Sequence, residues 1–345
     1  MFGFYRLAAA VPKLKVADAA FNTEELRRCF RQAAENGADA VVFPELCVTG
    51  YSCGDLFFQE RLLAAAEAAA VDFAARTAGS RTVAVIGLPF RRGDVLFNAA
   101  AVAADGAIRG IVPKCVLPNY REFYEKRHFH SGRGITDATA CIGGREVPFG
   151  ADLIFDGGAG FRFGIEICED LWCVLPPSLY LALGGARAVF NLSAGNELAG
   201  KADYRRELVT QQSARCLAAY VLAGAGVHES TTDLVFGGHA IIADNGRLAA
   251  ENRRFDRESS LTYADVDFER LGAARLSESS FNDNPLPEGM CFRRIRLPEA
   301  AGSPDLRHAS IPRHPFVPEN AAGRRERCRE IFDIQCAGLA KRIEH

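Results

Sequence analysis

Short apolar runs joined by tight turns fill the first 270 residues, and they constrain the fold more than any other feature of the sequence. Two-residue hairpin turns are predicted at Asp105-Gly106, Gly157-Gly158 and Asn245-Gly246, each between strand-like runs. A first buried strand is predicted near the N-terminus, and further strands at 40–45, 83–90, 187–196 and 219–227. About a dozen strands are expected in all.

Helix-like segments alternate with these strands. A helix is predicted within residues 21–39, with Asn22 and Thr23 as candidate N-caps and Gly37 as its stop. Further helices are predicted at about 58–77 and 201–216. Two sheets packed face to face, with helices on both outer faces, bury so many apolar strands most simply. The predicted fold is therefore an α/β fold, a four-layer αββα sandwich.

The character of the sequence changes after residue 275, which sets the predicted domain organisation. Residues 1–275 form the strand-rich domain, and residues 276–318, rich in Pro, Ser and Asn, are predicted to be a linker or wrapping segment. In residues 319–345, apolar side chains recur at helical spacing from Cys328 to Ile343. No helix-ending residue follows this helix before the sequence stops, so we expect the chain to be one part of a longer protein.

The composition excludes several classes of function. With 48% hydrophobic residues, 24% charged residues and a net charge of −2, the chain is predicted to be soluble, without nucleic acid or an anionic membrane as partner. No apolar run is long enough for a membrane span. The eleven cysteines include no C-x-x-C, which favours reduced thiols in a cytoplasm. The seven histidines form no zinc pattern, so no metal is expected.

Three strand-like segments end in a side chain capable of chemistry. Glu45 ends AVVFPE, Lys114 ends IRGIVPK and Cys168 ends FGIEIC. A thiolate is a nucleophile, an ammonium stabilises it, and a carboxylate takes the thiol proton and returns it to a leaving amine. The ammonium and the backbone N–H after the cysteine would bind an oxyanion. Together they could attack an amide or nitrile carbon.

Each of these residues also has an ordinary structural interpretation. A cysteine after a strand usually packs in the core, and Glu45 could cap a helix or lie on the surface. Lys114 could be the solvated end of a strand. The coincidence of three such strand ends, rather than any one residue, favours a catalytic site.

The segments FPELCVTGY, IVPKCVLPNYREFYEKRHF and GIEICEDLW resemble the three signature segments of the nitrilase superfamily, over residues 1 to about 270. Their narrower forms resemble the glutaminase domain of glutamine-dependent NAD⁺ synthetases, and residues 314–345 resemble the join to the synthetase domain. The resemblance implies that Glu45 is the general base, Lys114 stabilises the oxyanion and Cys168 is the nucleophile. It implies hydrolysis of L-glutamine to glutamate and ammonia, which serves amidation of deamido-NAD⁺.

The resemblance also implies a substrate pocket and partners. Glu122 falls where the superfamily often has a second carboxylate near the triad, and Glu169 is suited to pair with the substrate ammonium. The residues implied to bind substrate are Tyr51, Tyr120, Glu122, Phe123, Glu169, Trp172 and Ser193. The synthetase domain of the same enzyme and further copies of the chain are the expected partners, and residues 319–345 are expected to start that domain.

The sequence departs from the resemblance in two places. Gly195 stands where relatives often carry a second serine, which puts one substrate contact in doubt. No S-G-G-x-D-S loop for ATP pyrophosphate occurs, so ATP and Mg²⁺ are expected only for the synthetase domain, and no cofactor for this one.

Two alternatives to the glutaminase interpretation stay open at the level of sequence. A free-standing nitrilase-type amidase would act on another small amide through the same three residues. A non-enzymatic assembly module would keep the triad idle. Substrate preference separates the first alternative from a glutaminase, and the absence of a reactive cysteine would favour the second.

Overall fold

The computed structural model describes residues 3–232, 234–302, 305–309, 311, 313–318 and 320–344, and it divides into two compact units, Met1–His308 and Ala309–His345. Residues 1, 319 and 345, where predicted domain boundaries fall, lie outside the described residues. The two mixed sheets of the first unit confirm the predicted fold class. Elements are numbered in chain order.

The first sheet has eight strands, and its central strands carry small apolar side chains that allow close packing on both faces. In spatial order they are β14 (Ser260–Asp267), β1 (Phe4–Val11), β2 (Ala40–Val42), β3 (Val83–Arg92), β4 (Val95–Ala104), β5 (Ala107–Pro113), β7 (Arg145–Phe149) and β6 (Ala138–Ile142).

The second sheet has seven strands, whose inward side chains are mostly large and aromatic or branched. In spatial order they are β13 (Arg247–Glu251), β12 (Ala240–Asp244), β11 (Ala219–Gly224), β10 (Ala188–Ser193), β9 (Arg162–Ile167), β8 (Leu153–Asp156) and β15 (Arg293–Arg296).

Helices cover the outer faces of both sheets. The helices of the first unit are α1 (Ala19–Glu35), α2 (Glu60–Ala75), α3 (Glu125–His128), α4 (Pro177–Leu183), α5 (Lys201–Arg215), α6 (Phe268–Ser277) and α7 (Ser279–Asn282), with 3₁₀ segments at Tyr51–Phe58 and Cys168–Leu171. The second unit contains α8 (Ala321–Ile343). Phe30 and Phe73 of α1 and α2 pack on the first sheet, and Val209 of α5 packs on the second. The order of layers is thus helix, sheet, sheet, helix.

The core between the sheets holds the two faces together. Phe163 stacks on Phe155 and on Phe190 with ring centroids 5.3 and 4.5 Å apart, and these rings of the second sheet pack against residues such as Val85 and Val102 of the first. Full burial of side chains of this size stabilises the fold by roughly 1.5–3 kcal/mol each.

The structure corrects two local predictions, the start of the first helix and one of the three turns, and confirms the other two turns. Helix α1 begins at Ala19 with Asp18 as its N-cap, because Asn22 is buried and its amide bonds the backbone of Lys15 and Val48. The Asp105 and Asn245 turns link antiparallel strands as predicted. The Gly157-Gly158 turn belongs instead to a wider loop, residues 157–161, between Asp156 and Arg162.

The segment 276–318 contains more regular structure than its composition indicates. Residues 293–296 form β15, which pairs in parallel with β8, and Arg293 holds it there through a bidentate contact with Asp152 at 2.6 and 2.7 Å. Farther on, His308 N donates to Asp265 Oδ2 at 2.8 Å. Residues 293–296 therefore add an edge strand to the second sheet, and His308 attaches a later part of the segment to β14 of the first sheet.

The second unit is dominated by α8, which spans 23 residues and is capped by Asn320. The predicted C-terminal helix is confirmed, and its apolar side chains, among them Phe332 and Leu339, are exposed. Among the described residues, no helix combines the length and the apolar character needed to cross a membrane.

Candidate active site

The three strand ends singled out in the sequence converge in the folded chain. Glu45 lies three residues after β2, and Lys114 follows β5 directly, both in the first sheet. Cys168 follows β9 of the second sheet. Lys114 Nζ lies 2.6 Å from Glu45 Oε1, and both side chains are fully buried. The site is therefore built across the interface between the two sheets.

The backbone that carries Glu45 depends on a close approach to β3. A Cβ atom at Gly87 would lie 2.3 Å from Leu46 N and 2.7 Å from Pro44 O. Because β3 has no side chain at this position, the chain after β2 can turn directly over it. Glu45 is thereby directed into the sheet interface.

The second carboxylate beside Lys114 is Glu125, and the prediction of Glu122 for this place is wrong. Lys114 Nζ donates to Glu125 Oε1 at 2.6 Å, whereas Glu122 Oε1 accepts from Asn196 Nδ2 at 2.5 Å. Glu125 opens the short helix α3, which directs its side chain inward, and Glu122 stays half-buried at the wall of a cavity.

The two carboxylate oxygens of Glu45 differ in their hydrogen bonds. Glu45 Oε1 accepts from Lys114 and, at 2.7 Å, from Asn98 Nδ2. Glu45 Oε2 is buried and has no hydrogen-bond partner within the described part of the chain. A buried carboxylate oxygen without a partner is costly unless it has another task, and taking up a proton is such a task.

The electrostatics of the cluster keep the thiol protonated. Burial, reinforced by the charge of Glu45, raises the pKa of Cys168 to about 12, although Lys114 opposes the shift. Burial alone would lower the Lys114 pKa, but the charges of Glu125 and Glu45 outweigh it and raise that pKa. A proton passed from the thiol to Glu45 leaves the net charge of the cluster unchanged, whereas a proton lost to water would add a buried charge.

Cys168 is held in a sharp backbone turn. Its φ of 46° lies in the left-handed region, which costs a residue with a side chain about 1 kcal/mol or more. Asp170 offsets that cost, because its buried carboxylate accepts from Ile167 N at 2.8 Å and from Val116 N at 2.7 Å. Ile167 directly precedes Cys168 and Val116 lies two residues after Lys114, so Asp170 ties together the two strand ends that carry Lys114 and Cys168.

A buried chain of hydrogen bonds fixes the amide of Cys168. Cys168 N donates to Asn191 Oδ1 at 3.2 Å, Asn191 Nδ2 donates to the Tyr220 hydroxyl at 3.0 Å, and that hydroxyl donates to Glu166. Glu166 also accepts from Ser178 N at 2.8 Å. An ionised carboxylate can only accept, so Glu166 sets the direction of every bond in the chain. Because the Cys168 N–H is occupied, the Glu169 N–H is the next backbone donor available for an oxyanion.

The direction of this chain gives a testable prediction. In Glu166→Gln the new amide donates to Tyr220, the hydroxyl turns to donate to Asn191, and the Asn191 amide nitrogen then faces the Cys168 N–H. We expect alkylation of Cys168 by iodoacetamide to slow by about 10–100-fold, since small misplacements of reacting groups cost this much.

When Asn191→Asp is added to Glu166→Gln, the new carboxylate at position 191 accepts from both the Cys168 N–H and the Tyr220 hydroxyl. The new amide at position 166 donates to that hydroxyl, so every hydrogen bond of the chain is made again. The double variant is therefore expected to react faster than either single variant. A purely structural role predicts the opposite, a double variant at least as slow as the slower single one. Thermal unfolding of all three variants controls for loss of the fold.

The side chains expected to bind substrate surround this cluster at different depths. Tyr51 OH donates to Glu125 Oε1 at 2.9 Å, and Ser193 Oγ lies 3.5 Å from Cys168 Sγ. Tyr120 OH donates to Glu169 Oε1 at 2.9 Å at the solvent side. Phe123 lies against Tyr120, with ring centroids 6.1 Å apart, and Trp172 stacks on Tyr204 at 5.6 Å.

A cavity of about 260 Å³ adjoins the cluster. Its walls include Tyr51, Glu122, Phe123 and Glu125, so it lies on the Glu125 side of the ionised groups. A Cβ atom at Gly195 would make only ordinary contacts, 3.7 Å or more from Arg205 and Ser193. The position therefore has room for a small side chain, so the substrate contact put in doubt by Gly195 is missing for want of a side chain and not for want of space.

Sequence analysis missed residues that support the site from a distance. Glu229 accepts from the backbone N–H groups of Tyr51 and Ser52 at 2.7 and 3.0 Å, although it lies 178 residues from Tyr51. Asn98, Asn191 and Glu166 each lie within an apolar strand, and a polar residue there is the signal that could have revealed them. Among the described residues, no group of three or more His, Cys, Asp or Glu is arranged to hold a metal ion.

Comparison with known proteins gives relatives over most of the chain. The carbon-nitrogen hydrolase family model matches residues 6–276. Glutamine-dependent NAD(+) synthetases from Mycobacterium tuberculosis and Mycobacterium leprae are 41% and 39% identical, each over 99% of this chain and 51% of that protein. The crystal structure of a glutamine-dependent NAD(+) synthetase from Cytophaga hutchinsonii matches with a TM-score of 0.69 at 28% identity, over 76% of this chain and 43% of that one. The chain spans about half the length of the curated relatives it matches.

Proposed function

The chain belongs to the carbon-nitrogen hydrolase family, and from this premise we propose that it is the glutamine-hydrolysing domain of a glutamine-dependent NAD⁺ synthetase. The observation that carries the proposal is the extent of the mycobacterial matches. The family model ends at residue 276, whereas the match to synthetases of that name runs over 99% of the chain. A free-standing amidase does not account for that continuation.

The geometry of the cluster supports a mechanism in two halves. In the first, Glu45 Oε2 takes the proton of Cys168 Sγ as the sulfur attacks the γ-amide carbon of L-glutamine. The Lys114 ammonium and the Glu169 N–H stabilise the oxyanion of the tetrahedral intermediate. Glu45 then returns the proton to the nitrogen, the C–N bond breaks, and ammonia leaves a γ-glutamyl thioester on Cys168.

In the second half, Glu45 takes a proton from a water molecule that attacks the thioester carbon. The C–S bond breaks, the proton passes to the sulfur, and glutamate is released. Glu125 takes up no proton in this scheme, and together with Glu45 it holds the Lys114 ammonium in place. The domain supplies this chemistry with its own side chains and without a cofactor.

The rest of the proposal concerns the longer protein and its setting. Ammonia would pass to a synthetase domain, where ATP and Mg²⁺ would serve the amidation of deamido-NAD⁺. We propose further that the protein assembles with copies of itself in the cytoplasm. Support for the synthetase partner comes from relatives about twice as long as this chain.

The proposed function is tested by a covalent probe that does not require turnover. A diazo-ketone analogue of glutamine is expected to alkylate Cys168 alone among the eleven cysteines, as mapped by peptide mass spectrometry. Competing glutamine should suppress the adduct, since both occupy one site. A short aliphatic amide at the same concentration should not suppress it.

Cys168→Ala should abolish the adduct, and Cys115→Ala, which alters another thiol near the cluster, should leave it unchanged. Protection by an aliphatic amide but not by glutamine would favour a free-standing amidase. Labelling scattered over several cysteines, indifferent to glutamine, would overturn the proposal.

A further inference from the structure

A buried histidine, His239, lies between a cation and an anion just before β12. Its side chain is 2% exposed. Nδ1 of the ring lies 2.8 Å from Arg205 Nη1, and Nε2 lies 2.6 Å from Glu251 Oε1. A guanidinium can only donate and an ionised carboxylate can only accept, so Nδ1 accepts and the Nε2–H donates. The contacts therefore require a neutral ring with one defined tautomer.

Arg205 connects this ring to a segment beside the candidate active site. The guanidinium is as deeply buried as the histidine. Its Nη1 also donates to Glu197 Oε1 at 2.9 Å, and its Nη2 donates to the carbonyl oxygen of Asn196 at 3.1 Å. Glu197 and His239 together use both hydrogens of Nη1. Loss of the histidine acceptor would leave a buried N–H without a partner and disfavour the position from which Arg205 holds Asn196.

Asn196 extends the chain of contacts to the wall of the cavity. Its Oδ1 accepts from the Lys201 ammonium, which fixes the amide so that Nδ2 donates to Glu122 Oε1 at 2.5 Å. Glu122 lines the cavity with Phe123 and Tyr124, in the chain between β5 and α3. Within the described ranges the Glu122 side chain has no other hydrogen bond or ion pair. The position of this wall therefore depends on Asn196.

Hydrogen bonds thus run without a break from the second sheet to the cavity. We propose that neutral His239 is a positioning residue, which acts through Arg205 and Asn196 to hold Glu122 and the adjoining cavity wall in the shape that binds the amide substrate. The inference rests on the proposed function. It makes substrate affinity depend on a side chain that touches neither the substrate nor the three catalytic residues.

Protonation of His239 would break the chain at its first link. A proton on Nδ1 removes the acceptor for Arg205 and brings two cations into contact. Burial lowers the His239 pKa, and the Arg205 charge acts in the same direction, whereas Glu251 opposes the shift. The charged groups that face the ring or pair with its neighbours are Arg205 and Arg206 of α5, Glu251 of β13, Glu197 and Arg254. Because the net direction is downward, affinity should weaken only on the acid side of the ordinary histidine range.

The first test separates binding from chemistry in the alkylation of Cys168 by the diazo-ketone analogue of glutamine. The half-saturating concentration, KI, reports binding, and the limiting rate reports the reactivity of the thiol. His239→Leu removes both hydrogen bonds of the ring. At pH 8 we expect KI to rise by about 3–10-fold, the effect of losing one hydrogen bond, while the limiting rate changes by less than about twofold. A fall in the limiting rate with KI unchanged would contradict the inference.

His239→Gln is the conservative variant. Its amide can accept from Arg205 and donate to Glu251, as the neutral imidazole does, and it takes up no proton in this pH range. We expect it to keep the KI of the unaltered protein at pH 8. Between pH 8 and pH 5, KI of the unaltered protein should rise several-fold more than KI of His239→Gln. His308→Gln is the matched control, since burial lowers the pKa of His308 as well, and its pH dependence should equal that of the unaltered protein.

A double variant tests whether the residues act in series. Asn196→Ala removes the donor to Glu122, so adding His239→Leu to it should raise KI little further. Two independent structural roles predict instead that the separate effects on KI multiply, and that result would overturn the inference.

The failures of this inference and of the proposed function are distinguishable. An unchanged KI in folded His239→Leu, or the same pH dependence in His239→Gln and the unaltered protein, would overturn the positioning role only. Labelling of Cys168 that competing glutamine does not suppress would overturn both. Thermal unfolding confirms that each variant is folded, and the comparison of His239→Gln with the unaltered protein decides if His239→Leu is not.

Discussion

Replacing Glu45 by glutamine is expected to lower the turnover number for glutamine by about 10³-fold, within the range for loss of a general acid–base group. The amide oxygen can still accept from Lys114 and Asn98, as Glu45 Oε1 does. The amide nitrogen would occupy the place of Oε2, the oxygen without a partner, and it cannot take a proton. The change should therefore remove the proposed base and leave the fold in place.

The pH dependence identifies the lost step. Burial, the largest cause of the raised Cys168 pKa, remains in the variant, although the charge of Glu45 that reinforces it is gone. The thiolate is therefore still the minor form at neutral pH, and its fraction grows about tenfold per pH unit. The residual rate of Glu45→Gln should therefore rise steadily with pH up to the limit of the protein's stability. The rate of the unaltered enzyme should not rise in this way, because in the proposed mechanism Glu45 takes the thiol proton. Glu60→Gln, at an exposed acid paired with Arg91, is the control. A loss of less than tenfold in Glu45→Gln would contradict a role as base.

Lys114→Met is expected to abolish turnover and to destabilise the fold by roughly 3–5 kcal/mol, the cost of removing one partner of a buried ion pair. Lys114 is the ammonium between Glu45 and Glu125, and all three side chains are buried. Without it, two carboxylates face each other with no counter-charge. The oxyanion also loses its cation, which alone costs about 10²–10³-fold in rate.

The loss of stability should depend on pH with a definite sign. Burial already raises the Glu125 pKa while Lys114 opposes that shift, so removing the ammonium raises the folded-state pKa further. A carboxyl group with a raised folded-state pKa destabilises the fold as pH rises from its ordinary value toward that pKa, and not below. Urea unfolding of Lys114→Met should show a larger deficit at pH 8 than at pH 5.

A second substitution separates the two consequences. Lys114→Met with Glu125→Gln removes one of the uncompensated charges, so stability should recover in part while activity stays absent. A deficit equal at both pH values, or a double variant no more stable than the single one, would show that the buried charges are not the cause.

The strand ends were predictable because apolar runs encode them directly. Glu45, Lys114 and Cys168 come at the ends of the apolar runs AVVFP, IRGIVP and FGIEI, which places them at the ends of strands. Packing of the two sheets then brings these strand ends together. The segment RAVFNLS likewise predicted the strand that carries Asn191. These inferences rest on local periodicity, which a single sequence displays.

Contacts that depend on a single backbone turn were not predictable. Glu122 and Glu125 stand three residues apart in REFYE, and the sequence alone does not say which of them faces Lys114. The positive φ of Arg121, 51°, and the short helix after Tyr124 decide it. Helix α1 presents the same difficulty, since Asp18 and Asn22 are both good caps and only the burial of Asn22 distinguishes them.

Because the proposed base and the ammonium belong to one sheet and the proposed nucleophile to the other, the spacing of the two sheets would set the distance over which the reaction takes place. Stacked sheets lie about 10 Å apart, a spacing set by the side chains between them. Phe163 and Phe190 lie in the same core between the sheets as Cys168, so we expect their volume to influence how far the sulfur stands from the proposed base. In the proposed mechanism, a core substitution that the fold tolerates would slow the chemistry, so the interior of this protein would contribute to catalysis.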